Sequence, residues 1–381
     1  MKIFDPGAYA ALARRTVAEG CVLLRNDGPV LPFAQGAKVA VFGRSQFNYY
    51  KSGTGSGGLV NTGHVPSITE GLEASGAVKV DAKLKAEYES WIVDHPFDEG
   101  QGWANEPWYQ EEMPLSEETV LAAAGRSDAA VVILGRTAGE DKDSSNLEGS
   151  HLLAGAERDM LKAVCEKFEK VAVVLNTGGI LDMKWVEESR PGAVLYGWQG
   201  GQEGGLAVAD VLTGKAAPGG RLSDTIAKDI GDYPAAENFG SESRNLYPED
   251  IYVGYRYFET FAPEKVLYPF GFGLTYTTFD VKHIGIGVAA TEASMEAEVT
   301  NTGSRPGRQV VQVYCEAPQG KLGKPARALC AFGKTRELAP GETETLSFTV
   351  PFARLASYDD SGATGRKSAW VLEAGEYTFY I

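Results

Sequence analysis

Two stretches of the chain are continuously apolar, and they constrain its fold more than any other feature. "AVVIL" spans residues 130–134 and "VAVVL" spans residues 171–175. A strand with one face in water alternates apolar and polar residues, whereas a strand covered on both faces is apolar throughout. Strands of the second kind belong to parallel sheets that lie between layers of helices. We therefore predict an α/β sandwich, with a mostly parallel sheet between helix layers.

Strand and helix patterns alternate up to about residue 230. "KVAVFG", residues 38–43, predicts a strand, and Ser67 and Glu70 have the capping-box spacing that marks the start of a helix. The segment 154–168 places its apolar residues on one helical face. We assign residues 1–230 to the α/β sandwich domain.

The pattern changes to a period of two from about residue 283. "MEAEV" (295–299) and "LSFTV" (346–350) alternate apolar and polar residues, as strands do with one face on a core and one in water. Short strands without a helical pattern over residues 283–381 favour an all-β sandwich of the immunoglobulin-like type. Residues 231–282 are rich in Gly, Pro and aromatic residues, and we predict that they form a connector packed between the two domains.

The composition excludes several classes of partner. A formal net charge of −15 argues against a nucleic acid or an anionic membrane surface, because both require basic patches. No apolar run reaches 18 residues, and the first residues lack the profile of a secretory signal. The cysteines lie far apart, without metal-ligand spacing, at Cys21, Cys165, Cys315 and Cys330. We therefore expect a cytoplasmic protein with free thiols, no metal and no cofactor.

A glycine-rich stretch has the spacing of a dinucleotide-binding motif but not its context. Gly53, Gly55 and Gly58 match G-x-G-x-x-G, which must follow a strand directly and open a helix. The preceding strand ends ten residues before Gly53, and "LVNTGHVP" after the motif is not helical. We interpret the glycines as a loop that another segment approaches closely. A nucleotide-dependent enzyme remains the alternative, which a dinucleotide titration would test.

The loop "GRTAGEDKDSSNLEG" (135–149) follows the first apolar strand and is acidic. Ligands of open α/β sheets bind at the carboxyl ends of the strands, so this loop lies where a site is expected. The strand delivers Arg136, Glu140, Asp141 and Asp143 to that edge. Crowding by like charges, including Glu148, disfavours ionisation and suits a general acid. Composition alone leaves a solvated acidic loop as the alternative.

Longer stretches carry a family resemblance. They are "EGCVLLRNDGPVLPF" (19–33), "SGTGSGG" (52–58), "GRTAGEDKD" (135–143), "VVLNTGGILDMKW" (173–185), "WQGGQEGGLAVADVLTGKAAPGGRLSDTI" (198–226), "YPEDIYVGYRYFET" (247–260), "YPFGFGLTYTTF" (268–279) and "NTGSRPGRQVVQVY" (301–314). Along nearly its whole length the chain resembles the non-barrel part of family 3 glycoside hydrolases, the β-glucosidases and β-xylosidases.

The resemblance implies an α/β sandwich followed by a fibronectin-III-like domain, with a separate (β/α)8 barrel that binds the sugar and carries a nucleophilic aspartate. It implies that Glu140 is the acid/base residue. Tyr50, Lys51 and Ser52 are then expected to line the leaving-group side. We also predict a substrate contact for Arg136 at the strand end.

The chain departs from the family by having no barrel and no Ser-Asp-Trp motif. Since it starts at the sandwich, it resembles members with permuted domain order, and we expect the barrel to be supplied in cis or on another chain. The predicted function is one part of a retaining, exo-acting β-glycosidase, most simply a β-glucosidase, that removes terminal non-reducing β-D-glycosyl residues from glycosides or oligosaccharides. A non-catalytic module that binds carbohydrate or a protein partner is the alternative.

Overall fold

The computed structural model describes residues 5–381, which divide into two compact units. The first unit runs to Arg221 and includes Phe272–Tyr276, and the second comprises Leu222–Gly271 and Thr277–Ile381. The domain boundaries after residues 230 and 282 stay predictions. Among the described residues, no helix combines the length and the apolar character that crossing a bilayer requires.

The first unit alternates helices and strands. Its helices are α1 (Pro6–Gly20), α2 (Ile68–Ser75), α3 (Ala82–Asp94), α4 (Glu117–Ala124), α5 (Gly155–Lys167), α6 (Trp185–Ser189) and α7 (Gly204–Leu212). Its strands are β1 (Val22–Asn26), β2 (Lys38–Phe42), β3 (Lys79–Val80), β4 (Ala129–Arg136), β5 (Val171–Thr177) and β6 (Ala193–Tyr196). The strands form one sheet in the order β1-β6-β5-β4-β2-β3.

The predicted sheet is confirmed. Every pair in it is parallel except β1 with β6, which is antiparallel at the edge. All residues of β4 and β5 are buried, because helices cover both faces. Ile133 and its neighbours on one face pack with α2 and α7, while on the other face Phe42 meets Phe168 with ring centroids 5.7 Å apart. The continuous apolar runs are therefore the two central strands.

Local signals set the helix ends. Ser67 Oγ accepts a hydrogen bond from Glu70 N–H (3.1 Å), and Glu70 Oε2 accepts one from Ser67 N–H (2.7 Å), so the predicted capping box is present. Gly214 follows α7 with φ of 75°, and its N–H donates to Val211 O (3.0 Å). Positive φ costs glycine little, which explains why the helix ends there.

The second unit begins with the ladder of β7 (Ile226–Ala227) and β8 (Val266–Tyr268) and the helix α8 (Tyr255–Phe261). The remaining strands are β9 (Phe279–Val288), β10 (Glu292–Asn301), β11 (Val310–Glu316), β12 (Ala328–Lys334), β13 (Thr343–Pro351), β14 (Ser357–Asp359), β15 (Ala369–Val371) and β16 (Thr378–Tyr380). They form two three-stranded sheets, β13-β10-β9 and β12-β11-β16, and a two-stranded ladder, β14-β15.

The alternation predicted for the β-strands is also confirmed. Along β10, exposed and buried residues alternate, and Met295, Ala297 and Val299 point into a core with Phe348 and Val350 of β13. The strands β10 and β13 thus give one face to a core and one to solvent, which is the arrangement of an all-β sandwich. The fold class predicted from the sequence is therefore correct for both parts.

One buried carboxylate organises the turn after β14. Asp359 accepts hydrogen bonds from the N–H groups of Gly362 (2.6 Å), Ala363 (3.1 Å) and Thr364 (2.9 Å), and from the hydroxyl groups of Thr364 (2.6 Å) and Ser361 (3.1 Å). The Thr364 hydroxyl and the backbone donors hold the pKa of Asp359 well below its usual range. Hydrogen bonds to the charged form have this effect because protonation would remove an acceptor.

We predict that Asp359→Asn destabilises the second unit at neutral pH. Because the folded-state pKa is depressed, the carboxylate stabilises the fold above its unfolded-state pKa of about 3.9 and loses this contribution as the pH falls toward the folded-state pKa. The difference in unfolding free energy between wild type and variant should therefore shrink below about pH 4. Urea unfolding at a series of pH values measures it, with Asp360→Asn at the exposed neighbour as control. A difference that stays constant down to the acid limit of folding would contradict the prediction.

Candidate active site

The strands β2, β4, β5 and β6 run parallel, so their carboxyl ends meet at one edge of the sheet. Asn176, buried at the end of β5, connects the loops there. Its Oδ1 accepts from Tyr50 N–H (2.8 Å), and its Nδ2 donates to Tyr50 O (3.0 Å) and Trp198 O (2.7 Å). Two loops that are distant in sequence are therefore joined to the end of β5 by one amide side chain.

Glu140 lies in the loop that follows β4, and its side chain is exposed. The backbone beside it runs along the glycine-rich segment, where Thr54 N–H donates to Ala138 O (2.6 Å) and Thr54 Oγ1 donates to Glu140 O (3.2 Å). Glu140 Oε2 accepts from Ser56 N–H (3.2 Å). The carboxyl group thus faces solvent while a backbone donor holds one of its oxygens.

The glycines at 53 and 55 are required by this close approach. A Cβ on Gly53 would lie 2.2 Å from Ala138 O, and one on Gly55, whose φ is +73°, would lie 2.5 Å from Glu140 Cβ. Only a three-residue 3₁₀ turn, Gly55–Gly57, follows, so the motif does not open an α-helix. The interpretation as a loop approached closely by another segment is confirmed, and the approaching segment is the one that carries Glu140.

One of the acidic residues near Glu140 is paired with an arginine. Glu148 Oε1 accepts from Arg158 Nη2 (2.6 Å), and this hydrogen bond lowers the pKa of Glu148 below its usual value. Lys142 Nζ lies 5.2 Å from the centroid of the Trp108 ring. In the described part of the chain, no group of three or more His, Cys, Asp or Glu side chains is arranged to hold a metal ion. Asp141 and Asp143 are exposed like Glu140, and what distinguishes Glu140 is its hydrogen bond from the glycine-rich loop.

The residues predicted on the leaving-group side differ in their access to solvent. Tyr50 is buried, its ring centroid lies 5.9 Å from that of Phe97, and burial raises the pKa of its phenol. Lys51 Nζ donates to Gly58 O (3.3 Å), and both Lys51 and Ser52 are half-buried. Lys51 and Ser52 thus remain available beside the glycine-rich loop, whereas Tyr50 is held inside by the amide of Asn176.

Arg136 does not take the position of a substrate contact. Its side chain is 3% exposed and forms an ion pair with Glu157 through Nη1–Oε1 (2.5 Å) and Nη2–Oε2 (2.6 Å). Its other N–H groups donate to the backbone oxygens of Ser150 (3.2 Å), Gly135 (2.8 Å) and Leu152 (3.4 Å). A guanidinium has five N–H donors, and all five have acceptors here. Arg136 therefore has a structural role, and its guanidinium keeps no N–H donor for the predicted substrate contact.

Sequence reasoning missed the segment before α4 that packs against the Glu140 loop. Trp108 O accepts from Thr137 N–H (2.9 Å), and the Tyr109 ring centroid lies 5.6 Å from the Arg136 guanidinium. No motif identifies this segment. Its only signal is a cluster of aromatic residues, "WANEPWY" (103–109), in a stretch without helical pattern.

The structural role of Arg136 has a measurable consequence. Arg136→Met leaves Glu157 buried and unpaired, which should lower the unfolding free energy of the first unit by about 3–5 kcal/mol. Arg158→Met removes an exposed pair with Glu148 and should cost far less. Urea unfolding of the two variants makes the comparison. Equal, small losses in both would contradict a structural role for Arg136.

Comparison with known proteins agrees with the fold of both parts of the chain. The C-terminal domain of glycosyl hydrolase family 3 matches residues 21–255, and the fibronectin type III-like domain matches residues 309–381. A β-glucosidase of Ruminococcus albus is 51% identical over 380 residues, which cover 99% of this chain and 39% of that protein. Among solved structures, a β-glucosidase from Paenibacillus barengoltzii superposes with a TM-score of 0.96 at 52% identity, covering 100% of this chain and 42% of that one.

A second solved structure, β-glucosidase 3B from Thermotoga neapolitana in complex with glucose, superposes with a TM-score of 0.89 at 36% identity, covering 98% of this chain and 52% of that one. The chain thus spans between two fifths and about half of the length of these relatives. The resemblance seen in the sequence is confirmed: the chain belongs to glycoside hydrolase family 3 and carries its C-terminal domain followed by a fibronectin type III-like domain.

Proposed function

We propose that this chain supplies the acid/base residue, Glu140, of a retaining β-glucosidase that removes terminal non-reducing β-D-glucosyl residues. The observation that carries the proposal is the exposed carboxyl group of Glu140 at the carboxyl edge of the sheet, with Oε2 held by Ser56 N–H (3.2 Å). Membership of the family and likeness to β-glucosidases over the whole chain support it.

The chemistry of a retaining glycosidase requires two carboxyl groups about 5–5.5 Å apart. One attacks the anomeric carbon as a nucleophile, and the other protonates the leaving oxygen and later takes a proton from water. The two groups start the cycle in opposite protonation states. Since Oε2 of Glu140 accepts the backbone hydrogen bond, Oε1 is the oxygen placed to exchange the proton.

The nucleophile and the sugar pocket come, in this proposal, from a (β/α)8 barrel in cis or on another chain. The chain has no Ser-Asp-Trp motif, and more than half of the Ruminococcus albus and Paenibacillus barengoltzii relatives lies outside the matched part. Lys51 and Ser52 then face the leaving group, because they precede the loop that pairs with the Glu140 segment. Tyr50 contributes through its backbone hydrogen bonds to Asn176.

The first test concerns the 381-residue polypeptide alone. We expect negligible hydrolysis of nitrophenyl β-glucosides and β-xylosides, because a general acid without a nucleophile and a sugar pocket cannot complete the reaction. Turnover near the ordinary enzymatic scale of about 1 s⁻¹ or more would contradict the requirement for a barrel.

The second test concerns Glu140→Gln in the polypeptide combined with its barrel. An amide of equal size should preserve the fold, yet kcat/KM for alkyl glucosides should fall by about 10²–10⁴-fold, the usual contribution of general acid catalysis. Substrates with very good leaving groups need no proton in the first step, so their glycosylation should suffer much less. The glycosyl intermediate should accumulate, and azide should restore turnover because it attacks without a base.

Asp143→Asn is the matched control, because Asp143 is an exposed acid of the same loop. It should show neither the leaving-group dependence nor azide rescue. If Asp143→Asn shows both and Glu140→Gln shows neither, the acid/base residue has been assigned wrongly. Sugar binding without turnover, even with the barrel supplied, would favour a carbohydrate-binding module instead.

A further inference from the structure

The loop that carries Glu140 needs support on more than one side. Gly139 has a φ of +121° and Asp141 a φ of +58°, so the backbone turns sharply on both sides of Glu140. Thr54 and Ser56 form hydrogen bonds with residues 138–140, and both belong to the glycine-rich loop, so these bonds support one side of the segment. A general acid works within narrow geometric limits, so a second set of contacts is required to fix the loop.

Trp108 provides contacts before and after Glu140. Its backbone oxygen accepts from Thr137 N–H (2.9 Å), three residues before Glu140. Its ring lies under the ammonium group of Lys142, two residues after Glu140, with Nζ 5.2 Å from the ring centroid. A cation at this distance from an indole ring is attracted by the ring quadrupole. One residue thus contacts the chain on both sides of the proposed acid/base residue.

The Trp108 side chain is half-buried, and its Nε1 atom is buried. The adjacent Tyr109 packs against the end of the same loop, since a Cβ on Gly149 would lie 2.1 Å from the Tyr109 ring. By contrast, Trp103 in the same segment is 52% exposed.

We propose that Trp108 is a positioning residue of the acid/base step, acting through Lys142 to fix the orientation of Glu140. The inference rests on the proposed function of Glu140. Trp108 does not touch the reacting atoms. Its ring stabilises the position of Lys142, and the short segment between Lys142 and Gly139 then places the carboxyl group.

The test compares variants in the polypeptide combined with its barrel. Trp108→Leu and Lys142→Gln should each lower kcat/KM for alkyl glucosides by about 10- to 10²-fold, the cost of a small misplacement of a catalytic group. The loss of kcat/KM should be much smaller for substrates with very good leaving groups. Glu140→Gln should show the same pattern with larger losses. Trp108→Phe and Lys142→Arg should retain most of the activity, because each keeps a ring or a cation.

Trp103→Leu is the matched control and should leave the leaving-group dependence unchanged. The double variant Trp108→Leu/Lys142→Gln should have a kcat/KM no lower than that of the more affected single variant, because the two substitutions remove the same contact.

In the 381-residue chain without the barrel, Trp108→Leu should speed amide hydrogen exchange over residues 137–142, and Trp103→Leu should not. Lys142→Gln keeps the test valid if Trp108→Leu fails to fold, since Lys142 lies at the surface of the loop.

Two outcomes would overturn the inference. In the first, Glu140→Gln shows a strong leaving-group dependence, but Trp108→Leu and Lys142→Gln both keep the dependence of the wild type. The second is unchanged hydrogen exchange over residues 137–142 in Lys142→Gln and in folded Trp108→Leu. If Glu140→Gln itself shows no leaving-group dependence, the proposed function fails and this inference fails with it.

Discussion

Arg136 ends the strand β4 and Glu157 lies in the first turn of α5, and their buried ion pair joins the two ends of the loop that carries Glu140. Both side chains are almost fully buried, and their hydrogen bonds are made with each other and with backbone groups. Glu157 Oε2 also accepts from Ala154 N–H (2.8 Å), which places the start of α5. Because a buried charge without its partner is costly, this pair determines where the loop leaves the sheet and where it returns.

Between those ends, the loop is shaped by contacts with two other segments. The glycine-rich loop approaches on one side, where only glycine leaves room for the backbone of Ala138 and the side chain of Glu140. Trp108 contacts the loop on the other side through Thr137 and Lys142. The loop with the exposed carboxyl group is thus contacted by backbone groups on one side and by an aromatic residue on the other, which is the kind of support that the proposed role of Glu140 requires.

The charged residues around the two ends of the loop differ from Glu140 in their contacts. Arg136, Glu157, Glu148 and Arg158 are used in ion pairs, buried in one case and exposed in the other. Glu140 accepts from a backbone N–H and presents its carboxyl group to solvent. Paired groups hold structure, whereas an exposed carboxyl group held by a single backbone donor can change protonation state without disrupting the fold. This difference, rather than the acidity of the loop, supports the choice of Glu140.

The sequence by itself determined the buried parallel sheet, the β-sandwich pattern, the capping box of α2 and the position of Glu140 after a central strand. These features depend on local patterns, such as apolar runs, period-two alternation and residue spacing. The contacts of Arg136, Trp108 and Asn176 are with partners 21, 34 and 126 residues away or with the backbone of other loops. Only the tertiary structure decided them, because a side chain's partner across the sheet edge leaves no periodic signal in the sequence.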